Sequence, residues 1–147
     1  MIVVYHGGTP DARSGQANYG NYGSLMNILL AEDEKSVALA VTFALKRDDH
    51  KVEVATDGEQ ALAKLAADPE AIDLLITDNN MPRMSGLELV RRLRETRFRG
   101  KILVLSAHLT PQNCEAYESL SVDSMMRKPF DIHALRETVN SLAKSFT

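Results

Sequence analysis

The chain has 147 residues, a formal net charge of -3, 44% hydrophobic and 25% charged residues. That is one domain's worth of chain with ordinary globular composition. Its acidic balance argues against nucleic acid as a bulk electrostatic partner, and no apolar run approaches the ~20 residues that a membrane-crossing helix needs. A single cysteine, Cys114, has no intrachain disulfide partner, so a reducing, cytoplasmic setting is expected.

Residues 1–25 read differently from the remainder. Gly7-Gly8-Thr9-Pro10 and the Asn-Tyr-Gly-Asn-Tyr-Gly echo at Asn18–Gly23 predict a flexible leader, native or appended, with the folded domain spanning 26–147. From Asn27 strand and helix alternate. Asn27–Ala31 is a buried strand ending in Glu32-Asp33-Glu34, and Lys35–Arg47 sets Val37, Val41, Ala44 and Leu45 on one helical face. Lys51–Ala55 alternates charged with apolar, as a half-wet strand does. Thr56-Asp57-Gly58 turns into a helix carrying Ala61, Leu62 and Leu65, which Asp68-Pro69 ends.

The central strand is Ile72–Thr77, with Asp78 at its tip and Pro82 forcing a loop four residues later. Ser85 and Glu88 form a capping-box pattern for a helix that turns Leu87, Val90 and Leu93 inward and ends before Gly100. Lys101–Leu105 is an aliphatic strand closing in Ser106-Ala107-His108. Thr110-Pro111 opens a helix through Leu120, Asp123–Arg127 is a weaker strand, and Asp131 caps a last helix with Ile132, Leu135, Val139 and Leu142 inward.

Strict alternation predicts an α/β fold: a doubly wound, five-stranded parallel sheet covered on both faces. The order 2-1-3-4-5, the flavodoxin-like (βα)5 arrangement, sets strands 1 and 3 side by side at the switch point, where such sheets carry their ligand sites. The strand tips then bring together Glu32, Asp33 and Asp78 with Ser106 and Lys128, while strand 2 contributes nothing obvious. Three crowded carboxylates repel, and a hard divalent cation such as Mg2+ resolves the conflict. A carboxylate is also a competent nucleophile toward phosphorus. A hydroxyl and an ammonium suit the oxygens of the phosphoryl group it would carry.

The motifs Leu30-Ala31-Glu32-Asp33-Glu34, Thr77-Asp78-Asn79-Asn80-Met81-Pro82, Ser85-Gly86-Leu87, Ser106-Ala107 and Lys128-Pro129-Phe130, in this order and spacing, resemble a response-regulator receiver domain of two-component signalling, of the single-domain type. The resemblance covers Met26–Phe146. It implies that Asp78 accepts phosphate from a phosphohistidine on a sensor histidine kinase or histidine phosphotransfer protein. It also implies that Asp33 and Asp78 ligate Mg2+, with Glu32 acting mainly through metal-bound water and Asn80 contributing its backbone carbonyl. Ser106 and Lys128 would report the phosphoryl group, and a cis Lys128–Pro129 peptide is expected. The chain would not be an enzyme beyond its own phosphorylation and slow dephosphorylation. It would act as a monomer or weak dimer on a downstream protein target, with no direct nucleic acid binding and no membrane association.

The sequence departs from that pattern in three places. Met125 stands where the family usually carries an aromatic residue, and Ser121-Val122 where it commonly has Gly-Ala. The chain also stops one helix after Lys128-Pro129, so either its output passes through another protein or the sequence is a fragment of a longer one. Taken singly, Ser106 reads as a hydroxyl bonded to backbone and Lys128 as a solvated lysine; their convergence on the acids is what raises them. His108 has two readings, a tuner of acyl-phosphate hydrolysis and an exposed loop histidine. Arg83, Arg91, Arg92, Arg94, Arg97 and Arg99 read as a solvated basic face rather than a dock for an acidic partner. Cys114 and the Met125-Met126 pair read as packing.

Two other functions compete. One is a docking module with the receiver shape but no need of phosphorylation, which Met125 favours. The other is a phosphohydrolase with Asp78 as covalent nucleophile. Phosphatases resembling haloacid dehalogenases place an acid/base aspartate two residues on, and Asn80 cannot serve in that role.

Overall fold

The apolar runs that end in charge are strands, and the 3.6-periodic stretches between them are helices. In a computed structural model that describes residues 25–144, β1 (Asn27–Ala31), β2 (Lys51–Ala55), β3 (Leu74–Asp78), β4 (Lys101–Ser106) and β5 (Ser124–Arg127) alternate with α1 (Lys35–Lys46), α2 (Gly58–Ala67), α3 (Gly86–Leu93), α4 (Pro111–Ser119) and α5 (Ile132–Lys144). The expected leader, apart from Leu25, lies outside the described residues. All strands pair in parallel in the order β2-β1-β3-β4-β5. This is the flavodoxin-like α/β architecture. No helix among the described residues is long and apolar enough to cross a membrane.

Neighbouring residues of a strand point to opposite faces, so continuous apolar runs feed two cores. On one face Leu29, Leu75, Ile102 and Val104 pack under α2, α3 and α4; on the other Ile28, Leu30, Ile76, Leu103 and Leu105 pack under α1 and α5. The register pairs Ala31 with Thr77 and Asp78 with Leu105, which brings the C-terminal tips of the three central strands level.

Several boundaries shift by one residue, and the start of β3 shifts by two. β3 begins at Leu74 rather than Ile72 and takes in Asp78, because Asp73 instead ties strand starts together. Its carboxylate accepts the Asn27 N–H (2.8 Å) and its carbonyl the Lys101 N–H (2.8 Å). α3 ends at Leu93, before Gly100 as expected. Thr96 donates its hydroxyl to the Leu93 carbonyl and accepts the Phe98 N–H, replacing helical bonds with side-chain ones. That helix also buries Leu89 with Val90 and Leu93, leaving Leu87 half-buried.

At the sheet edge away from the acidic tips, buried His50 accepts the Met26 N–H at Nδ1 (3.1 Å) and sets Nε2 against Asn140 Oδ1 (2.8 Å). Accepting at Nδ1 makes Nε2 the protonated nitrogen. Asn140 in turn donates to Asp48 (3.0 Å), which Arg136 grips with two N–H bonds of 2.9 and 2.6 Å. The network pins the start of β1 and the turn after α1 to α5.

Candidate functional site

Each side chain at the tips is placed by the end of its strand. The Glu32 N–H bonds the Ala55 carbonyl one step past β1 (3.0 Å), which turns the Glu32 carboxylate inward, 1% exposed. Asp33 is exposed beside it, Asp78 closes β3 at 6% exposure, and Ser106 closes β4 fully buried. The Lys128 N–H bonds the Ser106 carbonyl (2.9 Å), and the Lys128–Pro129 peptide is cis, as expected.

The side chains converge. Lys128 Nζ lies 2.9 Å from Glu32 Oε2 and 3.3 Å from Asp78 Oδ2. One carboxylate oxygen from each of Glu32, Asp33 and Asp78 lies within 4.8 Å of the others. Burial raises the Glu32 carboxyl above its ordinary range; the Lys128 hydrogen bond pulls it back, and the charge of Asp78 adds to the rise. Burial works against the Lys128 charge, yet the Glu32 hydrogen bond and the two carboxylates outweigh it and hold the amine above its ordinary value. One ammonium among three carboxylates leaves two negative charges in excess. A divalent cation with oxygen preference fits that donor set.

The loop after Asp78 is built by contacts that sequence spacing does not reveal. Asn80 is exposed at its start. Arg83 takes a left-handed backbone (φ 68°) and reaches 26 positions back to Asp57, whose buried carboxylate it meets at 2.6 Å. The Gln60 N–H holds the Asp57 carboxyl below its ordinary range, with burial opposing and Arg83 assisting. Arg83 thus lies on the site's supporting loop rather than on α3, with its side chain largely exposed as expected. Arg91 and Arg92 do lie on the exposed side of α3, paired with Glu88.

Tyr117 was also not foreseen. This α4 ring is fully buried and donates its hydroxyl to Asn79 Oδ1, beside Asp78. Burial, and then the Asp78 charge, push its phenol far above the ordinary range. Helix α4 has no apolar stripe to announce a buried position. His108 is exposed, and its N–H donates to Ser106 Oγ (3.0 Å).

Residues 28–140 match the response regulator receiver domain family. Among curated relatives, the alkaline phosphatase synthesis transcriptional regulatory protein PhoP of Bacillus subtilis is 31% identical over 117 residues, 80% of this chain and 48% of that protein. The sensor protein EvgS of Escherichia coli is 35% identical over 117 residues, 80% of this chain and 10% of its own length. The chain spans about half the length of the first curated regulators it matches. Among solved structures, the chemotaxis protein CheY4 of Vibrio cholerae superposes with a TM-score of 0.72 at 28% identity, covering 81% of this chain and 99% of that one. An acidic cluster at the switch point of a 2-1-3-4-5 sheet is typical of such domains' phosphorylation site, and with the match along most of its length the chain belongs to the response-regulator receiver domains of two-component signalling.

Proposed function

We propose that the chain is a phosphoacceptor switch in which Asp78 takes a phosphoryl group from a phosphohistidine. A receiver domain implies a histidine kinase partner; a sensor kinase or a histidine phosphotransfer protein is the donor in this reading, and a further protein in the cytoplasm reads the result. An Asp78 carboxylate oxygen attacks phosphorus, the P–N bond breaks with its electron pair returning to the imidazole, and an acyl phosphate forms. Lys128, already shared between Glu32 and Asp78, then pairs with a phosphoryl oxygen, and Ser106 donates its hydroxyl to another. Glu32, Asp33, Asp78 and the Asn80 backbone carbonyl would hold Mg2+, which neutralises charge on the transferring group. The rest of catalysis is positioning, so the domain promotes only its own phosphorylation and slow dephosphorylation. It would work as a monomer or weak dimer.

The observation that carries this reading is the single ammonium bridging two of the three clustered carboxylates. Acetyl phosphate with Mg2+ tests it by intact mass. One phosphoryl group is expected on the parent and none on Asp78→Asn or with the metal chelated; equal gain by Asp78→Asn would sink the assignment. Met125, buried where an aromatic switch residue is common, favours a second reading as a phosphorylation-independent docking module. Partner binding unchanged by Asp78→Ala would support that one.

A further inference from the structure

Helix α4 reads Pro-Gln-Asn-Cys-Glu-Ala-Tyr-Glu-Ser, and Tyr117 is its one fully buried side chain. Its hydroxyl ends on Asn79. Asn79 is a junction: its N–H bonds the Leu105 carbonyl of β4 (3.2 Å), and its carbonyl accepts the Gly86 N–H opening α3 (2.9 Å). Its side chain accepts from α4. The residue directly after Asp78 is therefore tied to three elements, and the third tie is Tyr117.

A second path joins α4 to the site. Ser106 Oγ accepts the His108 N–H (3.0 Å), and the His108 carbonyl accepts from the Asn113 side chain in the first turn of α4 (2.9 Å). Leu105 and Ser106 of β4, His108, Asn113, α4, Tyr117 and Asn79 thus form a closed ring, shut by the Asn79 N–H on the Leu105 carbonyl. A Ser106 hydroxyl turning toward a phosphoryl group either drags the His108 amide with it or breaks that bond. Both outcomes disturb the segment leading into α4, whose one fully buried anchor is the Tyr117 ring, with Cys114 and Leu120 packed at the rim of the same cluster. Met125 packs in the same apolar cluster and is flexible enough to refill space as the ring shifts.

We propose that Tyr117 is a positioning residue for phosphoryl acceptance: through Asn79 it holds the acceptor loop and α4 in the resting arrangement, and it lets go when a phosphoryl group on Asp78 engages Ser106. This rests on the phosphoacceptor reading above. Because the bond belongs to the resting state, removing it favours the engaged state, and linkage makes that visible as affinity.

The test uses the full chain labelled with 3-fluorotyrosine and beryllofluoride with Mg2+ as the phosphoryl mimic. Of the four tyrosines, Tyr117 is assigned by the resonance missing from Tyr117→Phe. Its signal is expected to shift when the mimic binds the parent and to stay put in Asp78→Asn. Tyr117→Phe keeps the ring and should bind the mimic roughly two- to tenfold tighter, the worth of one net hydrogen bond. Its α4 amides should exchange faster at rest, and a merely structural role would not tighten binding. Should Tyr117→Phe fold poorly, Asn79→Ala removes the same bond from the acceptor side and carries the same expectation. A parent that binds the mimic with a silent Tyr117 resonance, beside variants of unchanged or weaker affinity, overturns the inference alone. A parent that neither binds the mimic nor gains phosphoryl mass overturns the phosphoacceptor reading and this inference together.

Discussion

Gly86 has no room for a methyl group. A Cβ there would stand 2.3 Å from the Asp78 carbonyl oxygen and 3.0 Å from Asn79 Cα, and backbone atoms cannot swing aside as a side-chain tip can. Alanine ordinarily gains up to about 1 kcal/mol over glycine inside a helix. Here overpacking should win, costing about 1–3 kcal/mol. Gly86→Ala is expected to lower the urea midpoint and, in the proposed function, slow phosphoryl acceptance together, since the displaced atoms belong to Asp78, the proposed acceptor, and its neighbour. An unchanged midpoint would show that the loop has slack. At this scale Glu32, Asp33, Asp78, Ser106 and Lys128 were legible because each closes or follows a short apolar run, so its position on the sheet edge follows from the strand. Asp57 with Arg83 and Asn79 with Tyr117 were not. Those pairs join residues 26 and 38 positions apart, and neither periodicity nor capping pattern points from one partner to the other.

Helix ends are where pattern reading was strongest and weakest. Side-chain caps declare themselves: Asp57 accepts from Gln60, Ser85 from Glu88 and Thr110 from Asn113, as the residue types foretell. The C-terminal ends depend on what the chain meets next, so spacing bounds the end of α3 only as before Gly100 while the structure sets it at Leu93. The α4 end shows what the Ser121 departure from the family's common glycine costs. Ser121 adopts a left-handed backbone, φ 60°, where glycine is at ease and a Cβ costs about 1–2 kcal/mol. Its N–H bonds the Glu118 carbonyl, and its own carbonyl, with that of Leu120, is capped by Arg94. The turn is thus held by backbone groups that a glycine would keep. Ser121→Gly relieves the strain but adds about 0.4–1 kcal/mol of unfolded-chain entropy. The expected net is a stabilisation of up to about 1 kcal/mol by urea denaturation, and a clear loss would mean the serine side chain contributes there.

Across the whole molecule, the two edges of the sheet carry opposite electrostatic designs. The tips of β1 and β3 gather three carboxylates around the single Lys128 ammonium that follows β5, whereas the far edge is already neutralised around Asp48. Burial would raise the Asp48 carboxyl, but hydrogen bonds from Arg136 and Asn140, with the Arg136 charge, hold it below its ordinary value of 3.8. A depressed carboxyl binds its proton less readily folded than unfolded, so its contribution is fully present above pH 3.8 and is lost as pH falls through the lower folded value. Urea titrations from pH 7 downward should therefore show an acid limb that Asp48→Asn flattens, with the variant also less stable at neutral pH where the ion pair operates. Arg136→Ala should do the same and cost about 1–3 kcal/mol at pH 7, the worth of hydrogen bonds to a charged group. In the proposed function, added Mg2+ acts at the opposite edge. It should raise stability near neutrality by binding the folded state while leaving the Asp48 increment unchanged, because distant sites without shared partners add. If the Asp48→Asn increment changed on adding the metal, the two edges would be coupled through the sheet, and the division of the molecule into an acidic rim and an independent ionic base would fail.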